Sequence, residues 1–370
     1  MSRLSVLLLA CLIMPALATA QELQGRYTQL LFQSRDATSN PVWTDLNRLR
    51  LEWRGDRDSW SWQLSYDHQW LWGGLLRDPL SRRLLLAREA TWLDAADVVH
   101  ASSSLAWGHR LYRGWIRYEK HGLALTVGRQ RIAWGSGRIW NPTDRFNPVA
   151  PTVLEPDQKL GVDALDAQWR YSANGGFEAV VSPGRGASRT ATKWALRWSD
   201  TFHETDVAML VGRIGAEQVA GLDVTGNWRD ANFRLEWLQS WWHGRFGQLS
   251  TGMDYTWVNR WFPAGLYLAF EYFHNGAASR PVQADRLQTR VSDLLGMLLG
   301  YDLTPLWRLE GLLLLDPVHG SVFLAPRLKW SVRDNVDAVF LAQLPWGKPT
   351  DEFSARHRVI AAQIDWYFDL

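Results

Sequence analysis

Residues 59–70 read S-W-S-W-Q-L-S-Y-D-H-Q-W, so a large side chain occupies every second position of this segment. Side chains of a β-strand point alternately to its two faces, which would place the large residues together on one face and the small polar residues on the other. A tilted strand of roughly 9–11 residues crosses a bilayer. The segment therefore predicts a strand with one apolar and one wet face that is long enough to span a membrane.

The same alternation recurs along the chain, in segments bounded by Gly, Asn, Asp or Pro. It predicts an all-β fold, a transmembrane antiparallel up-and-down β-barrel of about 18 strands, with 16 as the alternative. The predicted strands are residues 26–34, 46–54, 59–70, 105–119, 123–134, 162–171, 177–182, 193–199, 205–214, 218–228, 232–242, 249–257, 265–274, 293–303, 306–315, 322–332, 336–344 and 356–370.

The connections between these segments alternate in length. Those after even-numbered segments are mostly short, for example residues 120–122 and 333–335, whereas the long ones follow odd-numbered segments, for example 71–104, 135–161 and 275–292. Outer-membrane barrels have short periplasmic turns at one rim and longer extracellular loops at the other. A soluble β-sandwich has no reason to keep this order.

The composition agrees with a membrane barrel. The chain has 24 tryptophans, and indole rings are enriched at membrane–water interfaces, where their N–H groups stay hydrated. A formal charge of +2 gives no indication of nucleic-acid binding. Mean hydropathy is only -0.24, but alternating strands hide their apolar face from such averages.

The N-terminus is typical of a secretory signal peptide. Arg3 precedes an apolar run over residues 4–14, and Ala18-Thr19-Ala20 matches a small-residue cleavage site. We expect a signal peptide at residues 1–20, one barrel domain at 21–370, and Sec-type export to the outer membrane of a Gram-negative bacterium. Cleavage would remove Cys11, the single cysteine, although a lipoprotein box at that cysteine is the alternative.

Charged residues within the predicted strands fall on the polar face. A Lys or Arg that faces lipid at the midplane costs roughly 2–4 kcal/mol, so this face is expected to line the lumen. Such charges would sort solutes by charge, unless they form cross-strand ion pairs inside a closed lumen. The expected pore-lining residues are Arg113, Arg117, Glu119, Arg170, Arg197, Arg234, Glu236, Glu271, Arg308, Glu310, Arg327 and Lys329.

The third long connection, residues 135–161, contains four prolines and mixed charges, which favour an ordered segment that is not a strand. The third loop of general porins folds into the barrel and narrows it, so its position makes this segment a candidate constriction. A cap outside the barrel is the alternative. The candidate constriction residues are Arg138, Asn141, Asp144, Arg145, Glu155 and Asp157.

Residues 128–144, G-R-Q-R-I-A-W-G-S-G-R-I-W-N-P-T-D, resemble a segment of porin-like outer-membrane barrels of proteobacteria, which include the alginate-export type and related uncharacterised barrels. The C-terminal strand places Ile364, Trp366, Phe368 and Leu370 on one face and resembles the signal read by the barrel assembly machinery, with Leu in place of the usual final Phe. The resemblance implies a transport or export barrel. The expected partners are outer-membrane lipid, lipopolysaccharide, the barrel assembly machinery and a small-molecule solute, with no nucleic acid.

We therefore expect a porin or channel for passive passage of small hydrophilic or amphipathic solutes, or an export pore. A closed structural or assembly barrel and a lipid-modifying enzyme are the alternatives. The nine histidines are scattered and no G-x-S-x-G motif is present, so no catalytic residue, metal or cofactor is expected. Residues 80–97 favour either a short helix near the barrel mouth or a folded surface loop.

Overall fold

The computed structural model describes residues 20–35, 39–86, 91–155, 158–184, 192–278, 289–354 and 356–370. The predicted signal peptide lies outside this range apart from Ala20, so its cleavage stays a prediction. The strands are β1 (Ala20–Arg35), β2 (Pro41–Arg57), β3 (Trp60–Gly73), β4 (Ala96–Ala101), β5 (Leu105–Lys120), β6 (Leu123–Gln130), β7 (Val162–Arg170), β8 (Gly176–Ser182), β9 (Lys193–Phe202), β10 (Thr205–Ile214), β11 (Glu217–Trp228), β12 (Ala231–Trp241), β13 (Arg245–Trp257), β14 (Leu266–Asn275), β15 (Asp293–Thr304), β16 (Trp307–Leu315), β17 (Val322–Arg333), β18 (Val336–Trp346) and β19 (Val359–Asp369).

Eighteen of these strands form one closed antiparallel barrel. Each pairs with its neighbours in the chain, and the ring closes between the first and last strands, where Gln24 lies opposite Asp369 and Gln33 opposite Ile360. All eighteen predicted strands are present, which confirms the predicted fold and its strand number. Residues 96–101 form the additional strand.

This additional strand, β4, was not predicted from the sequence. It pairs with the first part of β5, where Ala96 lies opposite Arg110, whereas β6 pairs only with the second part, from Gly114 onward. β4 therefore covers an edge of β5 that β6 leaves open. Its sequence, A-D-V-V-H-A, does not alternate, and most of its side chains are exposed.

Helical structure in the described chain is confined to the connection between β3 and β4. A 3-10 turn spans Gly74–Arg77, and helix α1 spans Pro79–Leu85. Of residues 80–97, for which a short helix or a folded surface loop was expected, residues 80–85 are helical, and residues 87–90 lie outside the described part of the chain. Among the described helices, none is long and apolar enough to cross a membrane.

The alternation assigns the two faces of the wall correctly. In β12, Glu236 is completely buried inside the barrel, whereas the next residue, Trp237, is 41% exposed on the outside. On the outer face of β16 and β17, Trp307 stacks on Trp330 with ring centroids 4.9 Å apart. The short turns also follow expectation: His121 and Gly122 both have positive φ, as a two-residue type I′ hairpin requires.

The wall differs in height around the barrel. β1, β2, β3 and β5 have 14–17 residues each. β6, β7 and β8 have only 8, 9 and 7 residues. The low part of the wall lies beside the point where the chain leaves the sheet after β6.

Candidate functional site

The described residues of the connection between β6 and β7, 131–155 and 158–161, lie inside the barrel, and we call them the interior loop. β6 was predicted to continue to Trp134, but it ends at Gln130, so the prediction is wrong for the last four residues. The cause is burial: Ile132 and Trp134 leave the wall and pack, with Phe146, against apolar side chains of β7–β12 that point inward.

The interior loop also contacts a second part of the wall. Trp140 is 1% exposed and stacks on Phe273 of β14, with ring centroids 5.4 Å apart. Ile139 and Trp140 share a buried apolar cluster with Leu294 of β15 and Phe323 of β17. The loop therefore extends across the barrel interior rather than covering its mouth.

Glu271 of β14 binds the backbone of the interior loop. Its carboxylate accepts hydrogen bonds from three consecutive amides, those of Arg138, Ile139 at 2.9 Å and Trp140 at 3.0 Å. The side chain of Glu271 is 5% exposed. The sequence placed this residue on the lumen face, and the structure shows that the loop covers it there.

Glu236 of β12 holds the adjacent part of the loop in the same way. It accepts hydrogen bonds from the Gly137 amide at 2.6 Å, the Thr143 amide at 3.1 Å and the Thr143 hydroxyl at 2.6 Å. The hydroxyl of Ser136 donates to Asp223 of β11. Three wall carboxylates therefore fix residues 136–143.

The next residues of the loop are buried and charged. Arg145 forms a bidentate ion pair with Glu217 of β11, with N–O distances of 2.8 and 3.2 Å, and both side chains are at most 2% exposed. Asp144 accepts a hydrogen bond from the Asn147 amide at 2.9 Å. Burial raises the pKa of Asp144 to about 6, although this hydrogen bond and nearby lysines and arginines oppose the increase.

The far end of the loop is attached to the opposite wall. Glu155 pairs with Arg48 of β2 at 2.7 Å. The carbonyl oxygen of Lys159 accepts hydrogen bonds from Arg113 at 2.5 Å and from the Tyr112 hydroxyl at 2.9 Å, both on β5. Asp157, the remaining candidate constriction residue, lies outside the described residues.

Two cavities border the interior loop. The first, about 530 Å3, lies against β9–β12, and the second, about 370 Å3, lies against β14–β18. Arg138, Asn141 and Lys159 of the loop line both cavities. Together the two linings contain seven basic and four acidic side chains, among them Arg197, Arg234, Arg308 and Arg327.

Several predicted lining residues form ion pairs on the inner wall. Arg117 and Arg170 both bind Glu119, and the Arg117 distance is 2.9 Å. Glu310 accepts bonds from Arg308 at 3.1 Å and from Lys329 at 2.9 Å. These groups form two separate clusters, of which the first joins β5 and β7 across β6 and the second joins the neighbouring strands β16 and β17.

The remaining predicted residues lie nearer the loop. Arg197 lies 3.9 Å from Glu178, and Arg234 pairs with Asp254, which Arg138 also approaches at 3.5 Å. The sequence analysis missed Glu217, Asp223, Arg131, Lys159 and Arg48 as parts of this region. Asp223 alternates with Leu222 and Val224 in a predicted strand, so the sequence indicates that it points inward. Arg131 lies in the part of the predicted strand 123–134 that the structure places in the interior loop, and Lys159 lies in a segment whose path no pattern specified.

Comparison with solved structures finds this fold in several bacterial proteins. Pseudomonas aeruginosa OccK8 (OprE) is 7% identical, with 96% of this chain and 99% of that chain covered and a TM-score of 0.61. Acinetobacter baumannii OccAB2 is 7% identical over 95% and 99%, with a TM-score of 0.60. A BenF-like porin from Pseudomonas fluorescens Pf-5 is 6% identical over 95% and 100%, also at 0.60.

The chain has a porin-like fold. At this level of identity the likeness concerns the fold, and it does not single out the alginate-export type suggested by residues 128–144. A scan against protein-family models and a search of curated proteins found no match.

Proposed function

We propose that this chain is a porin of the Gram-negative outer membrane that allows small hydrophilic or amphipathic solutes to cross passively. The observation that carries the proposal is the interior loop, which crosses a closed barrel and leaves cavities on both sides of Arg138, Asn141 and Lys159. The similar fold of a BenF-like porin supports this function. Lipid, lipopolysaccharide and the barrel assembly machinery are its proposed partners, after Sec-type export.

The distribution of charge favours anionic solutes. Seven basic and four acidic side chains line the first and second cavities, so the linings carry an excess of three positive charges when all are ionised. Fixed charges at a constriction, where water is scarce, act strongly on ions that pass through it. We therefore propose anions over cations as the preferred solutes of the pore.

Within this proposal, the candidate pore-lining and constriction residues divide into two roles. Arg138, Asn141, Arg197, Arg308 and Arg327 face the cavities and act on the solute. Asp144 lines the first cavity too, but it is only 3% exposed. Others hold the interior loop in place, namely Glu236, Glu271, Arg113, Arg145 and Glu155.

The second candidate is an export pore, which the resemblance of residues 128–144 to alginate-export barrels favours. The two candidates share one architecture and differ in the direction and size of the solute. Swelling of liposomes that contain the purified protein, measured with neutral sugars and short oligouronates, distinguishes them. Faster entry of oligouronates than of the single-unit uronate, which is smaller and would cross a passive pore sooner, would favour export.

Planar-bilayer recording of the purified protein tests the porin proposal. We expect stable ion conductance, and we expect deletion of residues 141–156 to increase it because the segment occupies the lumen. Absence of conductance at every voltage would favour a closed structural barrel instead. Unchanged conductance after the deletion would exclude the interior loop as the constriction.

A further inference from the structure

The outer surface of the barrel has a row of aromatic and basic side chains at the rim of the long connections. Its five members lie directly opposite one another on the successive strands β9 to β13, and all are exposed. A chain neighbour of each member is buried inside the barrel, as Ile214 is beside Arg213, so the members point outward. We call this set the arginine row, which consists of Trp194, Arg213, Gln218, Trp241 and Arg245.

The arginine row lies at the level of a membrane–water interface. Gln218 and Trp228 of β11 are ten residues apart, and Trp228 is exposed at the rim of the short turns. Ten residues extend about 33 Å along a strand, or about 25 Å along the membrane normal at a tilt of about 40°, which is the usual height of the apolar band. On the proposed outer-membrane location, on which this inference rests, the row therefore lies among the headgroups of the outer leaflet.

The arginine row is positively charged, and the outward rows below it are not. The next two outward rows toward the membrane centre contain no charged side chain; they are Leu196, Val211, Ala220, Gln239 and Gly247, and then Trp198, Met209, Leu222, Trp237 and Leu249. Arg213 Nε donates to the carbonyl oxygen of Gly215 at 3.0 Å, which orients its guanidinium group at the turn. The row thus offers two cationic groups above an apolar surface, as an anionic lipid requires.

The spacing of the two arginines favours a ligand with two anionic groups. Arg213 is on β10 and Arg245 is on β13, so three strand spacings of about 4.8 Å separate their backbone positions by about 14 Å. Guanidinium groups bind phosphate oxygens bidentately. The lipid A part of lipopolysaccharide is a glucosamine disaccharide with a phosphate at each end, whereas a glycerophospholipid such as phosphatidylglycerol has a single phosphate and can bind only one of these arginines.

We propose that the arginine row binds the bisphosphorylated disaccharide of lipid A in the outer leaflet. Arg213 binds one phosphate and Arg245 binds the other. Between them, the side chains of Gln218 and Trp241 donate hydrogen bonds to oxygens of the disaccharide. The acyl chains extend over the apolar rows below. The site is on the outside of the wall, so it is separate from the route of solutes.

Native mass spectrometry of the refolded full chain in a non-ionic detergent tests the proposal. Three lipids are titrated, namely lipid A with both phosphates, its monophosphoryl form with the same acyl chains, and phosphatidylglycerol. We expect one bisphosphorylated lipid A to bind per barrel, roughly 5-fold more tightly than the monophosphoryl form, as one arginine near a lipid phosphate provides. Phosphatidylglycerol should bind no more tightly than the monophosphoryl form.

Paired substitutions assign this binding to the arginine row. Arg213→Gln with Arg245→Gln should lower the affinity for lipid A roughly 5–30-fold and remove the preference for two phosphates. Arg213→Lys with Arg245→Lys keeps both charges and should retain most of the affinity. The matched control is Arg229→Gln with Arg260→Gln, because these two arginines each lie over a tryptophan ring in turns of the opposite rim. The control should leave all three affinities unchanged.

Several results would overturn the proposal. Equal affinities for the three lipids, or tighter binding of phosphatidylglycerol, would show that two phosphates are not recognised. A preference that survives Arg213→Gln with Arg245→Gln would place the lipid elsewhere, and an equal loss in the control pair would indicate only a general attraction of arginines at either rim. Folding of each variant is checked by the different gel mobilities of unheated and heated barrel. The readout is lipid binding and not conductance, so its failure is distinguishable from failure of the porin proposal.

Discussion

Replacing Glu271 by alanine tests how the interior loop is held in place. The carboxylate is 5% exposed and accepts three consecutive backbone amides, those of residues 138–140. Its removal leaves these donors without an acceptor, at about 1–3 kcal/mol each, or about 3–9 kcal/mol in total. Stacking of Trp140 on Phe273 contributes about 0.5–1.5 kcal/mol beyond its buried area, which is less than the lower end of this range.

The loop should therefore detach locally in Glu271→Ala, while Glu236 and the Arg145–Glu217 pair keep its flanks attached. In single-channel recordings we expect a higher mean conductance and larger current noise than in the unmodified chain, because residues 138–140 then fluctuate in the lumen. Glu271→Gln keeps one acceptor oxygen and should give an intermediate effect.

Glu119→Ala is the matched control, because Glu119 is an inner-wall carboxylate that binds Arg117 and Arg170 and not the loop. Glu119→Ala should change the current noise little. If Glu271→Ala folds into a barrel with the same conductance and noise as Glu119→Ala, the three amide bonds do not hold the loop and the reasoning is refuted.

Three further predictions concern the same region. Arg138→Glu combined with Lys159→Glu lowers the charge of the two cavity linings by four, from an excess of three positive charges to an excess of one negative charge. The reversal potential in a salt gradient should therefore change sign, as the pore changes from a preference for anions to a preference for cations. An unchanged sign would contradict the proposed lining. Burial raises the pKa of the Asp144 carboxyl from its ordinary value of 3.8 to about 6, so the folded state loses stability as pH rises through this range and the buried carboxyl ionises. Asp144→Asn should therefore increase the free energy of unfolding at pH 8 by up to about 3 kcal/mol and leave it unchanged near pH 4. Denaturant titration at the two pH values measures both. Arg145→Met removes the bidentate ion pair of the buried Glu217 and should lower the free energy of unfolding by about 3–5 kcal/mol, whereas Arg145→Met with Glu217→Leu should recover most of this loss. Equal stabilities of the single and double variants would contradict this prediction.

The wall of the barrel could be predicted from the sequence because alternate side chains of each strand face the lipid and the barrel interior, and these two sets of residues differ in polarity. Trp237 beside Glu236, and Trp330 beside Lys329, specify lipid on one side and the interior on the other. β4 could not be predicted in this way, since both of its faces are largely exposed. The end of β6 was misplaced because Ile132 and Trp134 keep the strand-like alternation while packing inside the barrel.

The roles of the charged residues were less predictable than their positions. Alternation places Glu236 and Glu310 on the same inner face, but only tertiary structure shows that the loop covers Glu236 while Glu310 lines the second cavity. The partners of Glu236 are backbone amides, which have no signature in side-chain patterns. The path of the interior loop depends on such contacts. The sequence therefore could not decide between a constriction inside the barrel and a cap outside it.

The uneven wall height has a consequence for the surrounding bilayer. β8 has 7 residues and extends about 23 Å along its own axis at 3.3 Å per residue, and less along the membrane normal because barrel strands are tilted. An apolar band about 25 Å tall is usual for these barrels, so the wall at β8 produces a hydrophobic mismatch. Lipid next to β6–β8 must thin, or the barrel axis must incline toward that side, whereas the long strands β1–β3 oppose any thinning around them. The barrel thus imposes a gradient of bilayer thickness around its circumference.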